Sequence, residues 1–326
     1  MKRTLHLKEL EKQRRIWTWF SRTKRDRIAG AVFITASVLP LLLVIFIIVA
    51  LYLRARPILA IDSLWGLLSG QVWRPFQGKF GFYPFIIGTI WVTLVAMLLA
   101  IPVCLLSALY LSEYARPATR TIMKPMLDLL AAIPSVVYGV WGLIMIVPLV
   151  QKYLSPIFTR SLGFIPLFSS QNPTGFSVLA GGIVLAVMVI PFILAVTYEV
   201  LQAIPSGLRE ASLAIGATTW QTIKYAVLPE ARVGILAGVV LGSSRALGET
   251  MAVLMVVGNV PKVPHSIFDP AYPLPALIAN NYGEMLSIPL YDAALMGAAL
   301  FLLVVVLVFN VVSTIVLQRL LAKERR

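Results

Sequence analysis

The sequence carries a single cysteine and two histidines in 326 residues. One thiol, Cys104, cannot close an intrachain disulfide or build a Cys-based metal site. His6 and His265, with no HExxH pattern, leave a zinc centre little to work with, so neither a metal nor metal catalysis is expected. No nucleophile–base set stands out either, and the chain reads as no enzyme. Charge is also scarce: only 13% of residues are Asp, Glu, Lys or Arg, against about a quarter in soluble domains. Hydrophobic residues reach 59%, and the mean hydropathy is +0.87, a composition suited to lipid. Acidic residues number 14 against 28 basic ones, for a net charge of +14. A nucleic-acid binder would set its bases on a folded polar surface. Here they lie between long apolar runs, where they encode membrane topology, so membrane lipid is the expected partner and nucleic acid is not. No GxxxxGK[ST] pattern occurs, so any nucleotide-hydrolysing partner must be a separate polypeptide.

What is there is a series of apolar runs. A spanning helix needs about 20 mostly apolar residues, because each residue rises about 1.5 Å through about 30 Å of hydrocarbon. Six runs qualify, at about 28–53, 86–112, 128–150, 176–201, 233–258 and 292–318. The fold class is therefore all-α and polytopic: a cytoplasmic segment 1–27, a transmembrane domain 28–318 and a tail 319–326. Pro102, Pro134, Pro148 and Pro191 fall within or near the ends of these runs, which membrane helices tolerate when neighbours satisfy the freed carbonyls.

The N-terminus is not a cleavable signal, because ten Lys and Arg precede a run too long for a signal h-region. Leu5, Leu7, Leu10, Ile16, Trp17, Trp19 and Phe20 interleave with those bases. That segment is either an amphipathic helix lying on an anionic leaflet or a solvated basic tail. Of the 28 bases, 20 fall in the tail, 113–125, 202–232 and 319–326; seven fall in 54–85, 151–176 and 259–289; Arg245 is the last. The positive-inside rule then puts both termini in the cytoplasm. The outer connections, rich in Pro, Gly and aromatics, read as ordered caps able to meet a soluble partner.

The 202–231 connection carries Arg209-Glu210-Ala211-Ser212, then Gly216, then Ala226-Val227-Leu228-Pro229. Ser206 is placed as an N-cap, with a short helix to Ile215, a stop at Gly216, and a second helix from Thr219 ending near Pro229. Small residues on the first helix leave a smooth knob that fits a groove on another protein, and Glu210 can orient it against a basic rim. In the fifth run, Arg245 lies about 18 Å past Val233 along a helix, near mid-membrane. Glu249, at i+4 on such a helix, would face the same side. Intramembrane charges cost about 2.5–3.5 kcal/mol each and usually face the bundle interior or a pathway. A guanidinium fork matches a tetrahedral oxyanion. A nearby carboxylate would favour hydrogen phosphate, which has a proton to donate, over sulfate, which has none. The competing reading of Arg245 and Glu249 is an intrahelical ion pair that only locks packing.

The spacing Glu210-Ala211-Ser212, Gly216, Leu228-Pro229 resembles the EAA loop of ABC importer permeases, with Ser212 and Ala226 as small-residue departures. The stretches Arg245 to Val253 with Gly258-Asn259, Ala131 to Gly139, and Phe80 to Ile86 with Gly88-Thr89 resemble the permeases of phosphate importers, and specifically the PstC type. The resemblance implies a type I, MetI-like importer permease fold in which Glu210, Ala211, Gly216, Leu228 and Pro229 belong to the ATPase-coupling loop. It implies a phosphate path near Arg245 and Glu249. Ser135 and Tyr138 either line that path or are packing residues. It also implies a PstA-like paralogous permease, two PstB-like ATPases holding ATP and Mg, and a PstS-like phosphate-binding protein outside, working by alternating access. This chain itself would bind no cofactor. A PstA-like paralogue, an ABC permease for another oxyanion and an ATP-independent secondary anion carrier remain open. Asp128 is read as a headgroup-boundary charge or a partner for a base at the inner mouth, and Glu199 as a boundary charge.

Overall fold

The computed structural model describes residues 2–169, 172–283 and 288–324, with the side chains of 26–320 and 322. Residues 1–53 and 54–326 form two compact units. The first unit is a stretch of one helix, α1 (Lys2–Ile61). The N-terminal segment is thus helical and continues into the first span without a break; the faces of Leu5 to Phe20 lie outside the described side chains.

The second unit begins with the last turns of α1, where Ala55 and Ile58 are buried. It continues with α2 (Leu64–Ser69), a hairpin of β1 (Trp73–Arg74) and β2 (Lys79–Phe80), and α3 (Tyr83–Tyr114). Then come α4 (Pro117–Ala132), α5 (Ser135–Leu162), α6 (Val178–Ala203) and α7 (Ser206–Ala214). The last four are α8 (Thr219–Leu247), α9 (Met251–Leu254), α10 (Leu274–Asn281) and α11 (Pro289–Glu324). Among the described residues six helices are long and apolar enough to cross a membrane: α1, α3, α5, α6, α8 and α11.

The core is α3 packed along α6. Val92, Val95, Ala96, Ala100 and Cys104 meet Val178, Leu185, Val189 and Ile193 in one buried cluster. Without hydrophobic contrast between helix and lipid, close van der Waals packing must hold such a pair, and small residues permit the approach. Gly182 does this: a Cβ built there would sit 2.4 Å from Val95 Cγ1. The Ser177 hydroxyl caps α6 by accepting from the Ala180 amide at 3.1 Å, and the buried Cys104 thiol donates to the Ile190 carbonyl at 3.5 Å.

Proline is accommodated by a recurring device. Three five-residue π-turns, Gly142–Ile146, Val150–Leu154 and Ile223–Val227, each end two residues before a proline: Pro148, Pro156 and Pro229. A wider turn absorbs both the missing N–H and the ring's collision with the preceding turn. Pro229 therefore does not end the second loop helix as expected; α8 runs unbroken through it to Leu247.

Two span boundaries also differ from expectation. The third span does not begin at 128. Residues 117–132 are the separate helix α4, and the chain breaks at Ile133-Pro134, both extended, before α5 starts. A residue preceding proline is pushed out of the helical region, which places the break. The fifth span does not run to 258 as one helix: α8 stops at Leu247 and Gly248-Glu249-Thr250 separate it from α9.

The connections at the end of the bundle remote from the 202–231 loop are ordered. Trp73 pairs with Phe80 in the hairpin and packs edge-on against Phe85, at 5.1 Å, and Tyr291, at 5.8 Å. The 259–281 segment folds back on the bundle: the Leu274 amide donates to buried Thr89 Oγ1 at 2.9 Å, and the Ala271 amide to the Val257 carbonyl at 3.1 Å. Burial pushes the Tyr272 phenol pKa up, against the pull of the Asn280 and Asn281 amides that donate to it.

Candidate functional site

Arg245 lies in the last turn of α8, where Gly248 ends the helix with its amide donating to the Arg245 carbonyl at 3.3 Å. The guanidinium sits over the ring of Phe192 on α6, 5.5 Å from its centroid. Such a contact attracts a cation without neutralising it. Arg245 is exposed on this chain and, among the described residues, forms no ion pair. Glu249 is not one helical turn above it, as an unbroken helix would require. Its Oε1 instead accepts from the Ala252 amide at 3.3 Å, turning the carboxylate to the start of α9. The packing-pair reading of Arg245 and Glu249 has no ion pair behind it.

The other two expected path residues stand on α5, which packs against α9. That contact is tight. A Cβ at Gly139 would fall 2.7 Å from Met255 Sδ and 3.2 Å from Ala252 Cα. Ser135 is the first residue of α5, half-buried after the Pro134 break. Tyr138 is buried, and its hydroxyl donates to the Leu130 carbonyl at 2.8 Å, tying α5 to α4 across that break. Arg245 is within electrostatic range of the Tyr138 phenol. The structure thus gathers Arg245, Tyr138 and, through α9, Glu249 at the two places where long helices are interrupted. Backbone that is not helical at membrane depth persists only where protein buries it or it lines a watery cavity. Two neighbours escaped the sequence reading: Phe192, and Asn310, whose amide bridges α11 to Ser244 at 2.9 Å beside Arg245.

At the opposite end lies the 202–231 loop. The N-cap of α7 is Pro205, one residue earlier than expected, and Ser206 is already helical. The helix closes on Ile215, and Gly216 turns the chain with φ +87°, a left-handed conformation that side chains rarely adopt. Thr218 and Gln221 then form a reciprocal capping box that starts α8. Glu210, Ala211 and Gly216 are exposed, with Ile215 86% and Trp220 57% accessible beside them. Leu228 is half-buried and Pro229 exposed on the continuing helix. A knob carrying large bare apolar side chains on a short polar loop is what a partner surface would cover.

Asp128, on α4, lines a small cavity with Arg120, Lys124 and Glu199, and among the described residues it forms no ion pair. Glu199 pairs with Lys124 at 3.3 Å, both well exposed, as a boundary charge would. No group of three or more His, Cys, Asp or Glu able to hold a metal occurs among the described residues.

The model of binding-protein-dependent transport system inner membrane components matches residues 100–326. The chain belongs to this family. Curated relatives extend the likeness over nearly the whole permease. The phosphate transport system permease protein PstC of Xylella fastidiosa is 38% identical over 85% of this chain and 89% of its own length. PstC of Pasteurella multocida is 37% identical over 78% and 80%. The probable ABC transporter permease protein YqgH of Bacillus subtilis is 36% identical over 79% and 78%. Among solved structures, a chain of a bacterial alginate ABC transporter, crystallised with an alginate-bound periplasmic protein, superimposes with a TM-score of 0.62 at 19% identity, covering 91% of this permease and 96% of that chain. The fold is that of an ABC transporter permease, and the chain is a multi-pass membrane transport component.

Proposed function

We propose that this chain is the transmembrane subunit of an ATP-driven importer that carries inorganic phosphate into the cytoplasm by alternating access. One observation carries the reading: Arg245 is a full positive charge in a membrane-spanning helix, steadied by an aromatic face, with no carboxylate paired to it among the described residues. Such a charge costs about 2.5–3.5 kcal/mol by insertion scales, which a passing oxyanion offsets through charge-assisted hydrogen bonds. The relatives named as phosphate permeases support phosphate as that anion. Glu249, whose second oxygen makes no hydrogen bond among the described residues, is assigned selectivity: it accepts the proton of hydrogen phosphate and repels sulfate.

The excess of bases on the 202–231 side places that loop and both termini in the cytoplasm. The loop, with Glu210, Ala211 and Gly216 at its tip, docks a PstB-like ATPase, two of which bind ATP and Mg; this chain holds no cofactor. A PstA-like permease completes the path, and a PstS-like binding protein docks on the ordered caps outside. The test is the reconstituted four-component complex. Phosphate-loaded binding protein should stimulate ATP hydrolysis, and Glu210→Ala or Gly216→Val should abolish the stimulation. Phosphate uptake by this chain without any ATPase would refute the reading in favour of a secondary carrier.

A further inference from the structure

Among the described residues, a dense cluster of polar contacts ties the 202–231 loop to the bundle. Arg209, on α7, grips Glu113 at the end of α3 with a forked ion pair, Nη2 to Oε1 at 2.9 Å and Nε to Oε2 at 3.1 Å. The same guanidinium donates to the carbonyls that end α6, Nη1 to Ile204 at 2.8 Å and Nη2 to Leu201 at 2.7 Å. It therefore acts as a C-terminal cap for one helix and an ion-pair partner for another. The pair is sheltered, with the Glu113 side chain 7% and the Arg209 side chain 21% accessible. Around it, the Ser112 hydroxyl donates to Glu113 Oε1 at 2.9 Å, Gln202 Nε2 donates to the Ser112 hydroxyl, and Arg120 Nη2 donates to the Ser112 carbonyl at 2.6 Å. Glu113 itself stands in a π-turn, Tyr110–Tyr114.

The other flank of α7 is held differently. Between it and α8 lies Gly216, left-handed and with open space where a Cβ would be. Among the described residues the polar side-chain link across that turn is one hydroxyl pair, Ser212 and Thr222, at 2.9 Å. The loop helix is thus tied to α3 and α6 by charge-assisted hydrogen bonds, and to the start of α8 by the Gly216 turn, that hydroxyl pair and direct packing.

We propose that Arg209 is a positioning residue which, through Glu113 and the α6 carbonyls, delivers motion of the ATPase-docking loop to α3 and α6. Because α3 and α6 form the core pair, and Ile223, Val227, Ala231 and Ala246 of α8 share their buried cluster, a push on α7 delivered through the clamp moves the packed helices together. This inference rests on the proposed ATPase-coupled transport. Breaking the clamp should leave hydrolysis running without import.

The experiment uses the assembled transporter in proteoliposomes and reads ATP hydrolysed per phosphate imported. Glu113→Gln keeps size and removes the charge. Arg209→Lys keeps one ion pair and loses the fork and both carbonyl caps. In each, the ratio should rise by about tenfold, within the range of a coupling free energy between sites. The double variant should be no worse than the worse single one, as for residues acting as a unit. Glu199→Gln, which breaks the exposed ion pair with Lys124 outside the clamp, should leave the ratio unchanged. Uptake and hydrolysis falling in parallel, or Glu199→Gln raising the ratio as much as Glu113→Gln, would overturn the proposal. Failure of the wild-type complex to import phosphate would instead sink the functional reading on which it rests.

Discussion

Gly181 and Gly182 are neighbours on α6, and alanine at each should have opposite consequences. At Gly182 a Cβ would lie 2.4 Å from Val95 Cγ1, 2.9 Å from Val95 Cβ and 3.4 Å from the Ala96 nitrogen. Carbon atoms rest about 3.5–4.0 Å apart, so α3 and α6 would have to separate locally by about 1 Å. Rotating Val95 offers no escape, because its Cβ is fixed to the backbone and β-branched residues hold one rotamer in a helix. Overpacking of this kind costs about 1–3 kcal/mol, of which the better helix propensity of alanine returns about 0.5–1. At Gly181 the nearest atoms would be 3.4, 3.6 and 3.7 Å away, which is ordinary contact. There the propensity gain stands nearly alone. Gly182→Ala should therefore fall below Gly181→Ala in stability by about 1–3 kcal/mol. Thermal melting of the detergent-purified protein, followed by fluorescence-detected size exclusion, measures the difference. Equal midpoints, or Gly182→Ala melting above wild type, would refute the close packing of α3 on α6.

Three further outcomes follow from the sites. Arg245→Ala should lower phosphate uptake by about 100-fold, the loss of roughly 3 kcal/mol of charge-assisted hydrogen bonding, and Arg245→Lys should fall between it and wild type because an ammonium cannot fork; uptake by the Lys variant equal to wild type would remove the bidentate role. Glu249→Gln should let sulfate compete with phosphate while retaining uptake, read by isotope competition, and unchanged selectivity would clear Glu249 of that role. Gly216→Val should strain a residue at φ +87° by about 1–3 kcal/mol although nothing crowds it, whereas Gly216→Asn, tolerant of left-handed backbone, should keep most of the stimulated ATPase activity.

The six spans and the helix–Gly216–helix shape of the loop were legible in the sequence because both rest on local rules: apolar length, and glycine's access to positive φ. The prolines misled in both directions. Pro229 was expected to end a helix and instead follows a π-turn that carries the helix through. Pro134, expected inside a span, marks a true break because Ile133 before it is extended. The pairing of Arg245 with Glu249 failed for a related reason: i+4 spacing means one face only if the helix persists, and α8 ends at Leu247. Arg209 with Glu113, and Arg245 with Phe192, join residues 96 and 53 positions apart, contacts made by the packing of α3, α6, α7 and α8, which no local pattern announces.

The central claim is an ATP-driven path selective for phosphate. Its most direct test is uptake of radiolabelled phosphate by the complete complex in proteoliposomes, with and without internal ATP, against excess sulfate or arsenate. The account predicts uptake that requires ATP, yields to arsenate, which like phosphate carries a proton, and ignores sulfate. Uptake that persists without ATP, or that sulfate suppresses as well as arsenate does, would contradict it.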